Sequence, residues 1–328
     1  MSWNIPLCSN GFPAPLAGTL PNSFAITEAD LFWAALTVGR PRPTRHAAWL
    51  QGQRFIDEAM WRIGMVRANL DLGGVMTGLY HSPAFNALDP TEKGWVNFSF
   101  GMIFAKICAS QFLDIPWLMH FKWFQTHNLV TMLPGGSTPD FIGVSAAGGQ
   151  HHVVEAKGRN SGFSQSVLNS AKQQAMQAVA VNGHACGLHV GTLFYRLSGG
   201  RIAMAMDDPN PDNRPTIELR DSRETWSEYY RIVWQLSLLE GSDRTAFRRL
   251  TGLEIELEEH AKVLIEKIMT DDGGDWQSAR DELIKLSGAE LMADDRKVRD
   301  KMRDSSTYPD GVRIIYTESE IARLAGTE

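Results

Sequence analysis

The chain reads as an α/β protein, and three observations carry that expectation. Two short apolar runs, Phe141 to Val144 and Val153 to Val154, flank a Gly148-Gly149 pair, the pattern of two strands joined by a tight hairpin. A mostly apolar run from Trp95 to Phe112, with Lys106 as its one charge, precedes them and predicts a buried helix. After them, Val167, Ala171, Ala175 and Ala178 form a small-residue stripe on a predicted helix from Phe163 to Val181, stopped by Asn182-Gly183. With 328 residues, 43% of them hydrophobic, the chain can bury a sizeable core, as one large unit or two to three smaller ones.

From the N-terminus, residues 1 to 26 are rich in Pro, Gly, Ser and Asn and predict an irregular arm. Thr27 to Asp30 has capping-box character ahead of a short helix that ends at Gly39-Arg40-Pro41. Thr44 is placed to cap a longer helix reaching Leu70. Asp89-Pro90 opens the buried helix, proline being tolerated in a first turn. Aromatic enrichment from Trp117 to Phe124 favours a strand, followed by a glycine-containing loop over Leu133 to Thr138. Beyond the central segment, His184 to Tyr195 and Arg201 to Met206 predict two more strands around Ser198-Gly199-Gly200. From about Asp221 the pattern is helical, at Trp226 to Leu239, Glu254 to Met269, Trp276 to Leu286 and Ala289 to Met302, with a terminal strand over Val312 to Tyr316. Three segments result: 1–88, an arm and helices; 89–208, the core; and 209–328, an acidic helical region.

No apolar run approaches a membrane span, and the N-terminus lacks the basic start and apolar stretch of a signal peptide, so a soluble, cytoplasmic protein is expected. Cys8, Cys108 and Cys186 are distant and odd in number, which points to neither a disulfide framework nor a zinc knuckle. The spacings of His151, His152, His184 and His189 likewise match no common zinc pattern. The net charge of -6 is uneven. Residues 1–206 hold 14 Lys and Arg against 10 Asp and Glu, and residues 207–328 hold 18 against 28, balances of +4 and -10. A phosphate-bearing substrate suits the basic part, and a protein partner suits the acidic one.

Chemistry concentrates on the predicted hairpin. Asp140, behind Pro139, opens its first strand, and Glu155 and Lys157 close its second. Side chains two apart on a strand share a face, so Glu155 and Lys157 project together, within reach of Asp140 on the neighbouring strand. Two carboxylates with an ammonium beside them suit a hard cation such as magnesium, with manganese as a substitute, and metal-assisted hydrolysis. The lysine can orient the attacking water and offset charge. An edge-strand salt bridge is the competing explanation, because edge strands often carry lysine. Val153-Val154, continuing into Glu155-Ala156 with apolar character on both faces, favours an inner strand instead.

Pro139-Asp140 followed by Glu155-Ala156-Lys157 resembles the PD-(D/E)xK, or restriction-endonuclease-like, nuclease superfamily. The resemblance covers roughly residues 89 to 208. It implies an αβββαβ core with a mixed central sheet and an Mg2+-dependent endonuclease acting on DNA, with RNA not excluded. It implies metal ligation by Asp140, Glu155 and the Ala156 backbone carbonyl, with Lys157 positioning the water. Glu92 either matches the glutamate that many members carry on the opening helix or complements that helix's dipole. Lys172 with Gln173 or Gln174 either matches the glutamine or lysine that many members carry near the scissile phosphate or is a solvated face. Arg159, one residue past the strand, suits a bidentate phosphate contact. Restriction, phage defence, repair and mobile-element processing are the implied settings, and a homodimer is compatible with cutting both strands. The alternative is a nuclease-fold interaction subunit, non-catalytic or gated by a partner. No GxxxxGK[ST] loop is present, so any ATP dependence would come from another chain.

Overall fold

The computed structural model describes residues 2–38, 53–73, 77–126, 130–132, 138–176, 180–208, 217–270, 275–299, 305–317 and 320. In chain order its elements are β1 (Ser2–Asn10), β2 (Ser23–Thr27), α1 (Glu28–Val38), α2 (Gln53–Asn69), α3 (Pro83–Ala87), α4 (Pro90–Phe112), β3 (Trp117–His120), α5 (Phe121–Thr126), β4 (Val130–Met132), β5 (Phe141–Val144) and β6 (His151–Gly158). There follow α6 (Gln165–Ala175), β7 (Ala180–Val181), β8 (His184–Ala185), β9 (His189–Arg196), β10 (Ile202–Asp207), β11 (Ile217–Leu219), α7 (Arg223–Ser237), α8 (Gly241–Thr251), β12 (Leu253–Leu257), α9 (Glu259–Met269), α10 (Trp276–Arg299), β13 (Ser305–Thr307) and β14 (Val312–Tyr316).

A mixed seven-stranded sheet, in the order β2-β1-β10-β9-β6-β5-β3, organises the molecule. Strands β3, β5 and β6 form an antiparallel meander, β6 then pairs in parallel with β9 across α6, and β10 turns back antiparallel to β9. The parallel step requires a crossover, which α6 supplies.

Two helices sandwich the sheet, and glycines set how closely they approach. A Cβ at Gly158 would lie 1.7 Å from the Asn97 carbonyl oxygen on α4, and one at Gly191 would lie 2.8 Å from the Lys172 amide nitrogen on α6. Gly158 and Gly191 have opposite parity on paired strands, so α4 and α6 cover opposite faces. The β5–β6 hairpin turns through Gly148 and Gly149, at φ 83° and 68°, the left-handed region that glycine enters without penalty.

Several sequence expectations change. Residues 2–10 and 23–27 are strands, not an irregular arm, and β1 joins the central sheet beside β10. Thr27 and Asp30 do exchange the reciprocal bonds of a capping box at α1. The expected strand from Trp117 ends at His120, where α5 begins. Helix α6 is shorter than predicted, with Ala180 and Val181 in a strand of a second, four-stranded sheet β4-β11-β7-β8. Leu253 to Leu257, expected as helix, is β12 of a three-stranded sheet β12-β14-β13, and α10 is one helix where two were predicted. The predicted cap at Thr44 and most of the loop before Thr138 lie outside the described residues. Among the described residues, no helix is long and apolar enough to cross a membrane.

Candidate active site

Strand β6 lies between β5 and β9, so Lys157 does not guard an edge. The hairpin register pairs Phe141 with Val154, which sets Asp140, the residue before β5, opposite Glu155. Backbone amides then lock the two carboxylates to each other's strands. The Asp140 N–H donates to Glu155 Oε2 at 2.8 Å, and the Ala156 N–H donates to Asp140 Oδ2 at 3.1 Å. Lys157 Nζ donates to the other oxygen of Glu155. The motif residues Asp140, Glu155 and Lys157 are therefore in direct contact at the C-terminal end of a central strand.

Their environments differ. Glu155 is 1% exposed, whereas the Lys157 side chain is 28% exposed and faces solvent from the same site. Burial, and then the charge of Asp140, pushes the Glu155 carboxyl up to about 7. Burial likewise raises Asp140, against the opposing pull of the Ala156 amide and Lys157. A buried and a half-buried carboxylate, the charge of Asp140 hindering the ionisation of Glu155, present only hard oxygen donors and fit a divalent cation of the magnesium type. Asp140, Glu155 and the Ala156 carbonyl are the protein groups that would hold it. Among the described residues no cluster of three or more His, Cys, Asp and Glu side chains is assembled for a metal, and magnesium ordinarily keeps several waters.

The other candidates separate from this trio. Glu92 closes a capping box on α4, its carboxylate accepting the Asp89 N–H at 3.1 Å while Asp89 accepts from the Glu92 amide. That is the helix-terminal role, at a point that does not join the Asp140–Glu155 pair. Lys172 pairs with Asp207 at 2.9 Å. Asp207 sits in the same cross-sheet row as Glu155, through Gly191, two strands away. Gln173 is exposed on α6. Arg159 lies just beyond Lys157 at the same end of the sheet, its Nε donating to Ser161 Oγ at 2.7 Å.

Residues that the sequence did not single out also shape the site. Thr192 Oγ1 donates to the Glu155 carbonyl at 3.1 Å and fixes the strand from the β9 side. Gly158 is the last residue of β6 and the seat of α4. A glycine inside a strand pattern is the available signal for such close backbone approach. A cavity of about 790 Å³ lies at the far end of the hairpin, between its glycine turn, His151, Asp221 and Arg280. Compared with known proteins, the chain matches no family model, and no curated protein or solved structure matches it.

Proposed function

We propose that this chain is a metal-dependent nuclease of the PD-(D/E)xK kind, hydrolysing phosphodiester bonds of DNA. The observation that carries this reading is the direct contact of Asp140, Glu155 and Lys157 at the end of β6, with both carboxyls raised by burial. The order α4, β3, β5, β6, α6, β9, with β6 and β9 parallel, supports an αβββαβ core of the restriction-endonuclease-like type.

A bound magnesium or manganese would polarise the scissile phosphate and make water more acidic. The chain's own residues do the rest. The Glu155 carboxylate is held by the Asp140 amide and the Asp140 carboxylate by the Ala156 amide, so they need little reorganisation to receive charge. The partly exposed Lys157 ammonium orients the attacking water and offsets the charge that grows on phosphate as the new P–O bond forms and the ester P–O bond breaks. Arg159 adds a phosphate contact beside it.

The test is cleavage of supercoiled plasmid, linear duplex, single-stranded DNA and RNA with magnesium or manganese, by wild type, Asp140→Ala and Lys157→Ala. Metal-dependent cutting that disappears in both variants is expected. Cutting that persists in Asp140→Ala would overturn the assignment.

A further inference from the structure

The cavity of about 790 Å³ at the turn of the β5–β6 hairpin is of a size that takes a small organic molecule. Three elements wall it: the glycine turn itself, the β7–β8 hairpin and α10. A Cβ at Gly149 would lie 3.3 Å from Ile284 Cδ1, so the turn meets the helix at the edge of the cavity. Val144, Val181 and Ile284 give it an apolar lining, and each of the three is buried.

The polar wall is fixed in place. The Asp221 side chain is 2% exposed, and its oxygens accept from Trp226 Nε1 at 2.9 and 3.0 Å, Thr225 Oγ1 at 3.2 Å and Arg280 Nη1 at 2.8 Å, which fills them. Arg280 also donates from Nε and Nη2 to Asp281 at 2.9 and 2.7 Å, and its guanidinium lies 5.4 Å from the Trp276 ring centre. Those bonds use three of its five N–H groups and leave two. Asn182 Oδ1 accepts the Asp221 N–H at 3.0 Å, which leaves the side-chain –NH2 as a donor. Lys285, one turn beyond Asp281, makes no hydrogen bond or ion pair among the described residues. Unused donors thus outnumber unused acceptors on this wall, where the one carboxylate with capacity left, Asp281, has a side chain 55% exposed.

We propose that this cavity binds a small organic anion, a carboxylate or phosphate monoester on an apolar body. The anionic group takes its hydrogen bonds from Arg280, Lys285 and Asn182, and the body lies against Val144, Val181 and Ile284. Both kinds of anion are rich in acceptors and match the donors left over on the wall. A guanidinium already held by Asp221 and Asp281 gives up little freedom when a ligand arrives. The proposal does not rest on the nuclease reading. His151, on the cavity wall, is four residues from Glu155 along β6, about 13 Å.

The test is isothermal titration calorimetry of the full chain in metal-free buffer, with phenyl phosphate, benzoate, inorganic phosphate and benzylamine as probes. Phenyl phosphate or benzoate is expected to bind with a Kd of about 1 mM, and the tighter of the two identifies the anionic group. Inorganic phosphate, which lacks the apolar body, and benzylamine, which carries the opposite charge, are expected to bind about tenfold more weakly or not at all. Two variants place the binding. Lys285→Glu reverses the unpaired charge, and Ala185→Trp fills the cavity from β8; both positions are exposed, so circular dichroism should not change. Each is expected to lower the affinity for the aryl anion about tenfold or more. Arg280 is left intact, because its removal would strand the buried Asp221 carboxylate. No saturable binding of either aryl anion up to about 10 mM would overturn the proposal. So would equal affinity in wild type and both variants, which would put the binding elsewhere, or a preference for benzylamine.

Discussion

Glu155 carries the strongest electrostatic conflict at the site. Its carboxylate is buried beside that of Asp140, and only backbone amides and one lysine oppose the cost. Glu155→Gln keeps an oxygen that can accept the Asp140 N–H while removing the charge. Unfolding in urea is expected to show little loss of stability, and the nuclease assay is expected to show no cutting. Lys157→Ala removes a partly exposed group and is expected to lower the cleavage rate about 10²–10⁴-fold, with the fold retained by circular dichroism. A second buried cation gives a pH signature. Lys106 on α4 is fully buried, donates to the Pro116 carbonyl and Tyr229 hydroxyl, and lies 4.4 Å from the Trp33 ring centre. Burial pulls its pKa down to about 7, against the attraction of Asp310. The unfolded chain, with the ordinary value of 10.5, therefore binds more protons above pH 7, and stability should rise with pH from about 7 toward 10.5. As pH falls from 10.5 the contribution is withdrawn, and the loss is complete by about pH 7, below which both states carry the proton. Urea unfolding across this window should show the slope in wild type and lose it in Lys106→Met.

At the scale of elements, the closest joint is where α4 rests on the end of β6. Gly158→Ala would force the Asn97 carbonyl away, since no rotamer change relieves a backbone clash. A loss of about 1–3 kcal/mol is expected, measured by urea unfolding, with cleavage falling as Lys157 shifts next door. The β5–β6 hairpin was legible in the sequence because local signals agreed there: apolar runs, paired glycines and charges at one end. Strand β1 was not. Trp3, Ile5 and Leu7 alternate with exposed or half-buried neighbours, a period-two signal that its proline and polar content obscured. Pro6 is tolerated because it faces Ser23 of β2, and the parallel pairing with β10 starts only at Leu7. The same misreading of period hid β12, where Leu253, Ile255 and Leu257 are buried and Glu254 and Glu256 lie between them. Of the candidate residues, the trio was legible from its spacing. The partnership of Lys172 with Asp207 depends on a cross-sheet row that no local pattern reveals.

At the scale of the whole molecule, the acidic C-terminal region is tied into the core through Asp310. This carboxylate is fully buried and accepts from Trp33 Nε1 on α1 at 2.9 Å and the Tyr229 hydroxyl on α7 at 2.5 Å, with Lys106 on α4 at 3.7 Å. Tyr230 adds a bond to its carbonyl, and Tyr308 stacks on Trp33 at 4.3 Å. Removing one partner of such a group leaves the others buried without compensation. Asp310→Ala is expected to cost about 3–5 kcal/mol, read by urea unfolding, and to weaken cleavage only through lost folded protein. The central claim is that Asp140, Glu155 and Lys157 act together on a phosphodiester. Cleavage of supercoiled plasmid and circular single-stranded DNA in manganese by wild type and Glu155→Gln, at matched folded concentration, tests it most directly. Linear and shorter products from wild type alone are the predicted result. Equal cutting by the two proteins, or no cutting by either, would contradict it.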